Sequence, residues 1–345
     1  MFMKIKIRVE KELTAYVKTI DKLYSLNRLS PVLFKSIKEF ICRPGKRVRP
    51  ILFCIGYLGF SKKTPPGLYR SALSLELLHD FMLVHDDIID KSDMRRGSPS
   101  MHALLNRHLS HSKNIKFNGK DLAIVIGDVM YAMGLDAFLA VKENLRRKEN
   151  ALRKLISAAL YTGSGEFIEL LLGIKTLEKV TQEDIYKIYD YKTANYTFAS
   201  PLTMGSTLAG AKTNQTEKLF SYGLLLGRAF QIRDDIIGTF GEEKDTGKPN
   251  LSDIKEAKRT LLVWYAFNHG AKKDKFIMKQ IMQGESSNNV ELFKMRKIII
   301  ESGALAYAEN QIKYLFSKAR IQLHGLKMDA RYKQALDNFS QKILA

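Results

Sequence analysis

The sequence predicts an all-α fold, a single large helical bundle, and three observations carry that prediction. Apolar residues recur at 3.6-residue or heptad-like spacing almost throughout, and no series of alternating runs reads as strands. Only eight prolines and 22 glycines occur in 345 residues, clustered at a few places, which favours long helices over many short strands. No stretch has the composition of an interdomain linker, so residues 1–345 read as one all-helical domain, although the length alone would allow two or three.

Taken in order, the first helix should span about Ile5 to Leu26, with Val9, Leu13, Val17 and Ile20 on one stripe. Pro44 and Pro50 bracket the loop Gly45-Lys46-Arg47-Val48-Arg49, which leads into an apolar helix beginning near Ile51. Pro65, Pro66 and Gly67 break the chain before a long helix that carries Asp86. The polar stretch Asn106 to Lys120 reads as an exposed connection, and the basic stretch Lys142 to Lys154 as a solvated turn between helices. Thr181-Gln182-Glu183-Asp184 has the form of a capping box opening a helix that reaches Tyr191-Lys192-Thr193. Small residues from Ala194 to Gly210 point to closely packed helices. Ser221 to Ile237 reads as a second apolar helix ending in carboxylates.

Composition narrows the class. With 45% hydrophobic and 10% aromatic residues the chain is neither disordered nor fibrous. Two isolated cysteines, Cys42 and Cys54, form no C-x-x-C and no paired framework, so a reduced, cytoplasmic setting is expected. No run approaches the length of an apolar membrane span, and the start lacks the apolar core of a signal peptide. The formal charge of +20, from 56 Lys and Arg against 36 Asp and Glu, calls for anionic partners. The basic residues are spread without a nucleic-acid motif, so no nucleic acid is expected. Peripheral contact with anionic membrane stays open, and salt-dependent vesicle binding is its test.

Two clusters carry the chemistry. Asp86-Asp87-Ile88-Ile89-Asp90 ends an apolar helix with three carboxylates, Asp86 and Asp90 one turn apart with Asp87 beside them. Three like charges so close need a counter-charge, and oxygen ligands at this spacing suit Mg²⁺, which completes its shell with water and phosphate oxygens. Asp234-Asp235 closes a second apolar helix in the same way. Packed in one bundle, the two helices would aim their carboxylates at a common cavity mouth. Cations on short loops complement an anionic substrate: Lys46 and Arg49 between prolines, Arg95 and Arg96 after the first cluster, Lys248 after the second. Arginine forks and lysine point charges are what diphosphate oxygens require. Gly241 to Pro249 is not a Walker-type phosphate loop, since a proline stands where Ser or Thr would hold the metal.

On these residues the chain resembles the trans-prenyl diphosphate synthases of the polyprenyl synthetase family. G-K-R-V-R-P at 45 to 50 resembles that family's isopentenyl diphosphate loop. E-L-L-H at 76 to 79, V-H-D-D-I-I-D and R-R-G-S-P resemble its first aspartate-rich region, and G-R-A-F-Q-I-R-D-D its second. Y-K-T at 191 to 193, G-D at 127 to 128 and G-K-P at 247 to 249 also match. The resemblance implies helices around a deep apolar cavity, usually in a homodimer. It implies three Mg²⁺ held by Asp86, Asp90 and Asp234, with Asp87 and Asp235 behind them. Arg95, Lys192 and Lys248 would contact the allylic diphosphate, and Gly45, Lys46, Arg49, His79 and Arg96 the isopentenyl diphosphate. Thr193, Phe230 and Gln231 would line the reacting ends. The chain departs from the family at Gly238, where many members carry a further aspartate, and at Ala257, where many carry glycine.

Product length is read from the helix below Asp86. Met82 lies one turn back and Leu78 two, while Phe81 is five residues back, roughly 7.5 Å deeper. An aromatic floor at Phe81, with nothing inserted in D-D-I-I-D, resembles geranylgeranyl diphosphate synthases. Farnesyl or longer-chain synthases are the alternative. A class I terpene cyclase, which has no need of a second diphosphate site at Lys46 and Arg49, is more remote, as is a metal-dependent phosphohydrolase, since the pairs His79-Asp80 and His85-Asp86 that would suggest it lie on one helix and are explained without a histidine-bound metal.

Overall fold

The computed structural model describes residues 1–110, 113–241, 254, 258–283 and 289–344, and these are overwhelmingly helical. Their contacts group into two units, Met1–Leu152 with Met204–Gly210 and Arg153–Thr203 with Ala211–Ala345.

In the first unit, α1 (Phe2–Tyr24) buries the predicted stripe Val9, Leu13, Val17 and Ile20, joined by Ile5 and Tyr16. After the single turn α2 (Leu26–Leu29), α3 (Pro31–Ile41) opens with Ser30 accepting from the Leu33 amide and Pro31 in the first turn. Helix α4 (Val48–Leu58) starts earlier than the sequence suggested, because Pro50 sits in its first turn, where no amide partner is needed. The loop carrying Lys46 is correspondingly shorter. Helix α5 (Leu68–Ile89) begins at Gly67 in the left-handed region and is buried almost all round as far as Leu78.

Two short strands follow, β1 (Met94–Arg95) and β2 (Ser98–Pro99), in antiparallel register Arg95↔Ser98. The sequence reading did not anticipate them. Arg96 (φ 56°) and Gly97 (φ 72°) both have positive φ, the mark of a two-residue type I′ turn. Arg43, buried just past the end of α3, donates from Nη2 to the Pro99 carbonyl (2.9 Å) and pins this hairpin.

The stretch 106 to 120 is not simply a connection. Helix α6 (Met101–Leu109) runs into it, and α7 (Gly119–Phe138) starts inside it on an Asn118–Asp121 capping box. Helix α7 packs along α5. The supposed turn from 142 to 154 is largely helix, since α8 spans Leu145–Ile174 and its Lys, Arg, Leu and Glu are good helix formers.

In the second unit, the capping box at Thr181 opens α9 (Gln182–Ile188) as predicted. The chain then winds on as a π-helix, Tyr189–Ala199, before α10 (Ser200–Leu208), which from Met204 on belongs to the first unit. Helix α11 (Thr213–Phe240) is longer than the sequence reading gave it. It packs against the π-helix and against α15 (Ala304–His324), beside α12 (Leu261–His269), α13 (Lys272–Gln283), α14 (Asn289–Glu301) and α16 (Ala330–Leu344). The core joins Ile185, Tyr189, Ala229 and Ile232 to Leu261, Phe267, Leu292, Ile299 and Leu315. Arg259 donates to the Gly173 and Lys175 carbonyls at the end of α8, and Arg296 to the Thr239 carbonyl at the end of α11, satisfying helix-terminal acceptors.

One expectation is corrected: α8 does hold an 18-residue window of mean hydropathy 1.3, long and apolar enough by composition to cross a membrane. Glu166 and Glu169 on that helix are engaged by Lys192, which marks it as a helix of the bundle.

Candidate active site

In the first unit α5 delivers Asp86 and Asp90 as predicted, one turn apart, with the Asp90 amide donating to the Asp86 carbonyl (2.8 Å). Both side chains are partly exposed, whereas Asp87 is fully buried. Arg95 grips Asp87 with Nε (2.7 Å) and Nη2 on the same oxygen. Burial pushes the Asp87 carboxyl up and Arg95 pulls it back. Burial works against the Arg95 charge, but Asp87, with Asp86 and Asp90, more than compensates and raises its pKa.

Two turns earlier on the same face is Asp80, to which the sequence reading gave no role. It is fully buried, neither oxygen accepts a hydrogen bond, and Arg96 Nη1 stands 3.7 Å from Oδ1. Burial and the neighbouring Glu76 push its carboxyl well above the usual range, against the pull of Arg96, Arg47 and Arg49. Burial, then Arg49, Arg96, Arg95 and Arg47, push the His79 imidazole well below its ordinary value, so it is neutral at neutral pH.

Lys46, in the loop before α4, is exposed and Arg49, in the first turn of α4, is half-buried, but Arg47 between them is entirely buried. It pairs with Glu10 (2.9 Å) and Glu76 (2.8 Å) and donates to the Ile41 (3.1 Å) and Arg43 (2.8 Å) carbonyls. Gly45 packs over that guanidinium, its Cβ position 3.4 Å from Nη1. The signal for this network is Glu76 and Asp80 themselves, carboxylates at i and i+4 inside an apolar run. Phe81 lies edge-on to His85 (centroids 4.7 Å) and tilted to Tyr131 on α7 (5.4 Å). Leu78 is buried and Met82 partly so.

In the second unit the π-helix presents Lys192 and Thr193. Lys192 Nζ is 2.5 Å from Glu166 Oε2 and also meets Glu169, both on α8 and both missed in the sequence, although two carboxylates in an apolar run are again the sign. The helices touch closely there: a Cβ on Gly165 would lie 2.7 Å from the Lys192 amide nitrogen. Across the π-helix, a Cβ on Gly227 of α11 would lie 2.4 Å from Ala194 Cα. The Thr193 hydroxyl donates to Gln231 Oε1 (2.7 Å), and Gln231 Nε2 donates to Asp235 Oδ1 (2.9 Å). Asp235 is buried and also accepts from the Tyr189 hydroxyl, itself bonded by the Leu261 amide (2.9 Å). Asp234, its neighbour, is exposed, and Phe230 packs on Phe198 (centroids 5.3 Å). Lys248, Gly247, Pro249 and Ala257 lie outside the described residues.

Among the described residues no three His, Cys, Asp or Glu side chains converge into a preformed metal cage. The donors nonetheless fit Mg²⁺: they are carboxylate oxygens without sulfur or imidazole, and this ion takes one or two carboxylates and draws its other ligands from water and phosphate.

The model of the family described as polyprenyl synthetase matches residues 30–299. A geranylfarnesyl diphosphate synthase of Aeropyrum pernix is 32% identical over 85% of this chain and 87% of that protein. A geranylgeranyl diphosphate synthase of Saccharolobus solfataricus is 31% identical over 81% of each. In fold, the chain is similar to a crystal structure of geranylgeranyl pyrophosphate synthase from Corynebacterium glutamicum complexed with isoprenyl diphosphate and magnesium, at TM-score 0.89 and 24% identity over 99% of this chain and 98% of that one.

Proposed function

The chain belongs to the polyprenyl synthetase family and is a prenyltransferase, and from that premise we propose that it condenses isopentenyl diphosphate head to tail with an allylic diphosphate to give geranylgeranyl diphosphate. The observation that carries the reading is the family match over residues 30–299, which takes in both acidic clusters. Asp86, Asp90 and Asp234 would hold Mg²⁺, three ions per site in this reading, and the metal would supply positive charge to the departing diphosphate.

The chain's own residues do the rest. Arg95, braced by Asp87, and Lys192, braced by Glu166 and Glu169, meet the allylic diphosphate together with Lys248. Fixed cations stabilise the charge that develops as the C–O bond breaks. Gly45, Lys46, Arg49, Arg96 and neutral His79 hold isopentenyl diphosphate. Thr193, Gln231 and Phe230 line the reacting ends, and the apolar wall around Phe230 keeps water from the allylic cation. The double bond of isopentenyl diphosphate attacks that cation, a C–C bond forms, and the proton lost from the adjacent carbon passes to the released diphosphate. No side-chain base is needed.

Phe81, Met82 and Leu78 set the floor that stops growth. A product longer by one isoprene unit is the second reading, favoured by the likeness to the geranylfarnesyl synthase. Assembly as a homodimer is supported by an apolar stripe on α8, where Ile156, Leu160, Phe167, Leu170 and Ile174 are exposed on one face. A cytoplasmic setting follows from the isolated cysteines. Incubating the purified protein with Mg²⁺, isopentenyl diphosphate and allylic diphosphates of increasing length, then sizing the products, tests the whole reading. Failure to consume isopentenyl diphosphate with every primer refutes it.

A further inference from the structure

Helix α5 puts a carboxylate where the scheme above has no use for one. Asp80 is fully buried, accepts no hydrogen bond, and faces Arg96 at 3.7 Å. Its other charged and titratable neighbours are Glu76 on its own helix, Arg47 and Arg49 at the start of α4, and Cys42 at the end of α3. Arg47 is already committed to Glu10 and Glu76. The shared cations are therefore Arg49 and Arg96, both assigned to isopentenyl diphosphate.

We infer that Asp80 is a positioning residue, an internal anion that holds Arg96 before substrate binds and that the diphosphate of isopentenyl diphosphate supplants as the partner of that arginine. The inference rests on reading this pocket as the isopentenyl diphosphate site. A buried carboxylate accepting no hydrogen bond is expensive to keep charged, so its contact with Arg96 is one an incoming diphosphate can readily replace. While charged, Asp80 also repels the diphosphate across a short, poorly screened distance, and its removal tightens binding by about tenfold on a moderate effective dielectric. Burial raises its pKa, so acid neutralises it, and the repulsion grows as pH rises.

Asp80→Asn, nearly isosteric, tests this. The expected result is a KM for isopentenyl diphosphate about tenfold lower than wild type at alkaline pH, with the KM for the allylic diphosphate within about twofold, since Asp80 pairs with Arg96 whereas Arg95 is held by Asp87, and the difference shrinking toward acid. An unchanged or raised KM for isopentenyl diphosphate in the folded variant overturns the inference. If the variant does not fold, the wild-type ratio of the two KM values carries the test, because both substrates share the titration of a diphosphate. The ratio must rise from acid to alkaline pH, and a flat ratio is equally fatal. Loss of the inference is distinct from loss of the functional reading: in the first case the wild type still consumes isopentenyl diphosphate, in the second it does not.

Discussion

Gly165→Ala adds one methyl at the tightest approach between α8 and the π-helix. The new Cβ would lie 2.7 Å from the Lys192 amide nitrogen and 3.0 Å from Tyr191 Cβ, where ordinary contact begins at 3.4 Å. One backbone or the other must retreat by about 0.7 Å. Lys192 is tied to Glu166 and Glu169 on the same two elements, so the retreat moves the ammonium off its place. In stability the change is partly offset: overpacking costs about 1–3 kcal/mol, and alanine in place of a mid-helix glycine returns about 0.5–1 kcal/mol. Turnover is not so protected, because misplacement of a binding group on the order of 1 Å costs about a hundredfold. Steady-state turnover with both diphosphates saturating, alongside thermal melts, should therefore show kcat down by about 10- to 100-fold with a melting temperature lowered only slightly. Gly163→Ala, on the same helix with nothing within 4 Å of its Cβ position, is the control and should leave turnover unchanged. If Gly165→Ala retains kcat within about twofold of wild type, the close approach does not position Lys192.

Other outcomes follow from the same geometry. Arg47→Met strands Glu76 in the interior and should lower unfolding free energy by about 3–5 kcal/mol in denaturant titrations; a loss below about 1 kcal/mol would mean that Glu76 finds water or a proton. Asp234→Ala should reduce kcat by about a hundredfold or more, and near-normal turnover would remove it from the metal site. Phe81→Ala should lengthen the product seen by chromatography, whereas an unaltered product distribution would exclude Phe81 as the floor.

The all-helical fold and the main carboxylates were legible in the sequence because helical periodicity and D-D-I-I-D are local signals. So was the capping box at Thr181, whose hydrogen bonds close within four residues. The hairpin was not, since two-residue strands have no periodicity to read and depend on Arg43, 56 residues before Pro99. The π-helix escaped for a related reason: its residues have ordinary helical character, and its close packing against Gly165 and Gly227 joins residues far apart in the chain. Arg47 illustrates the hardest case. Among Lys46, Arg47 and Arg49 nothing in composition says which cation turns inward; the partners that decide it, Glu10 and Glu76, lie 37 and 29 residues away.

The Arg95–Arg96 turn carries a mechanical consequence. Asp80 and Asp87 are two helical turns apart on α5, roughly 10.5 Å along its axis, yet their partners are adjacent residues of a turn whose left-handed backbone leaves little slack. The hairpin works as a two-pronged plug in a two-hole socket. The turn fixes the spacing of the two prongs, so inserting even one residue between them would unseat both.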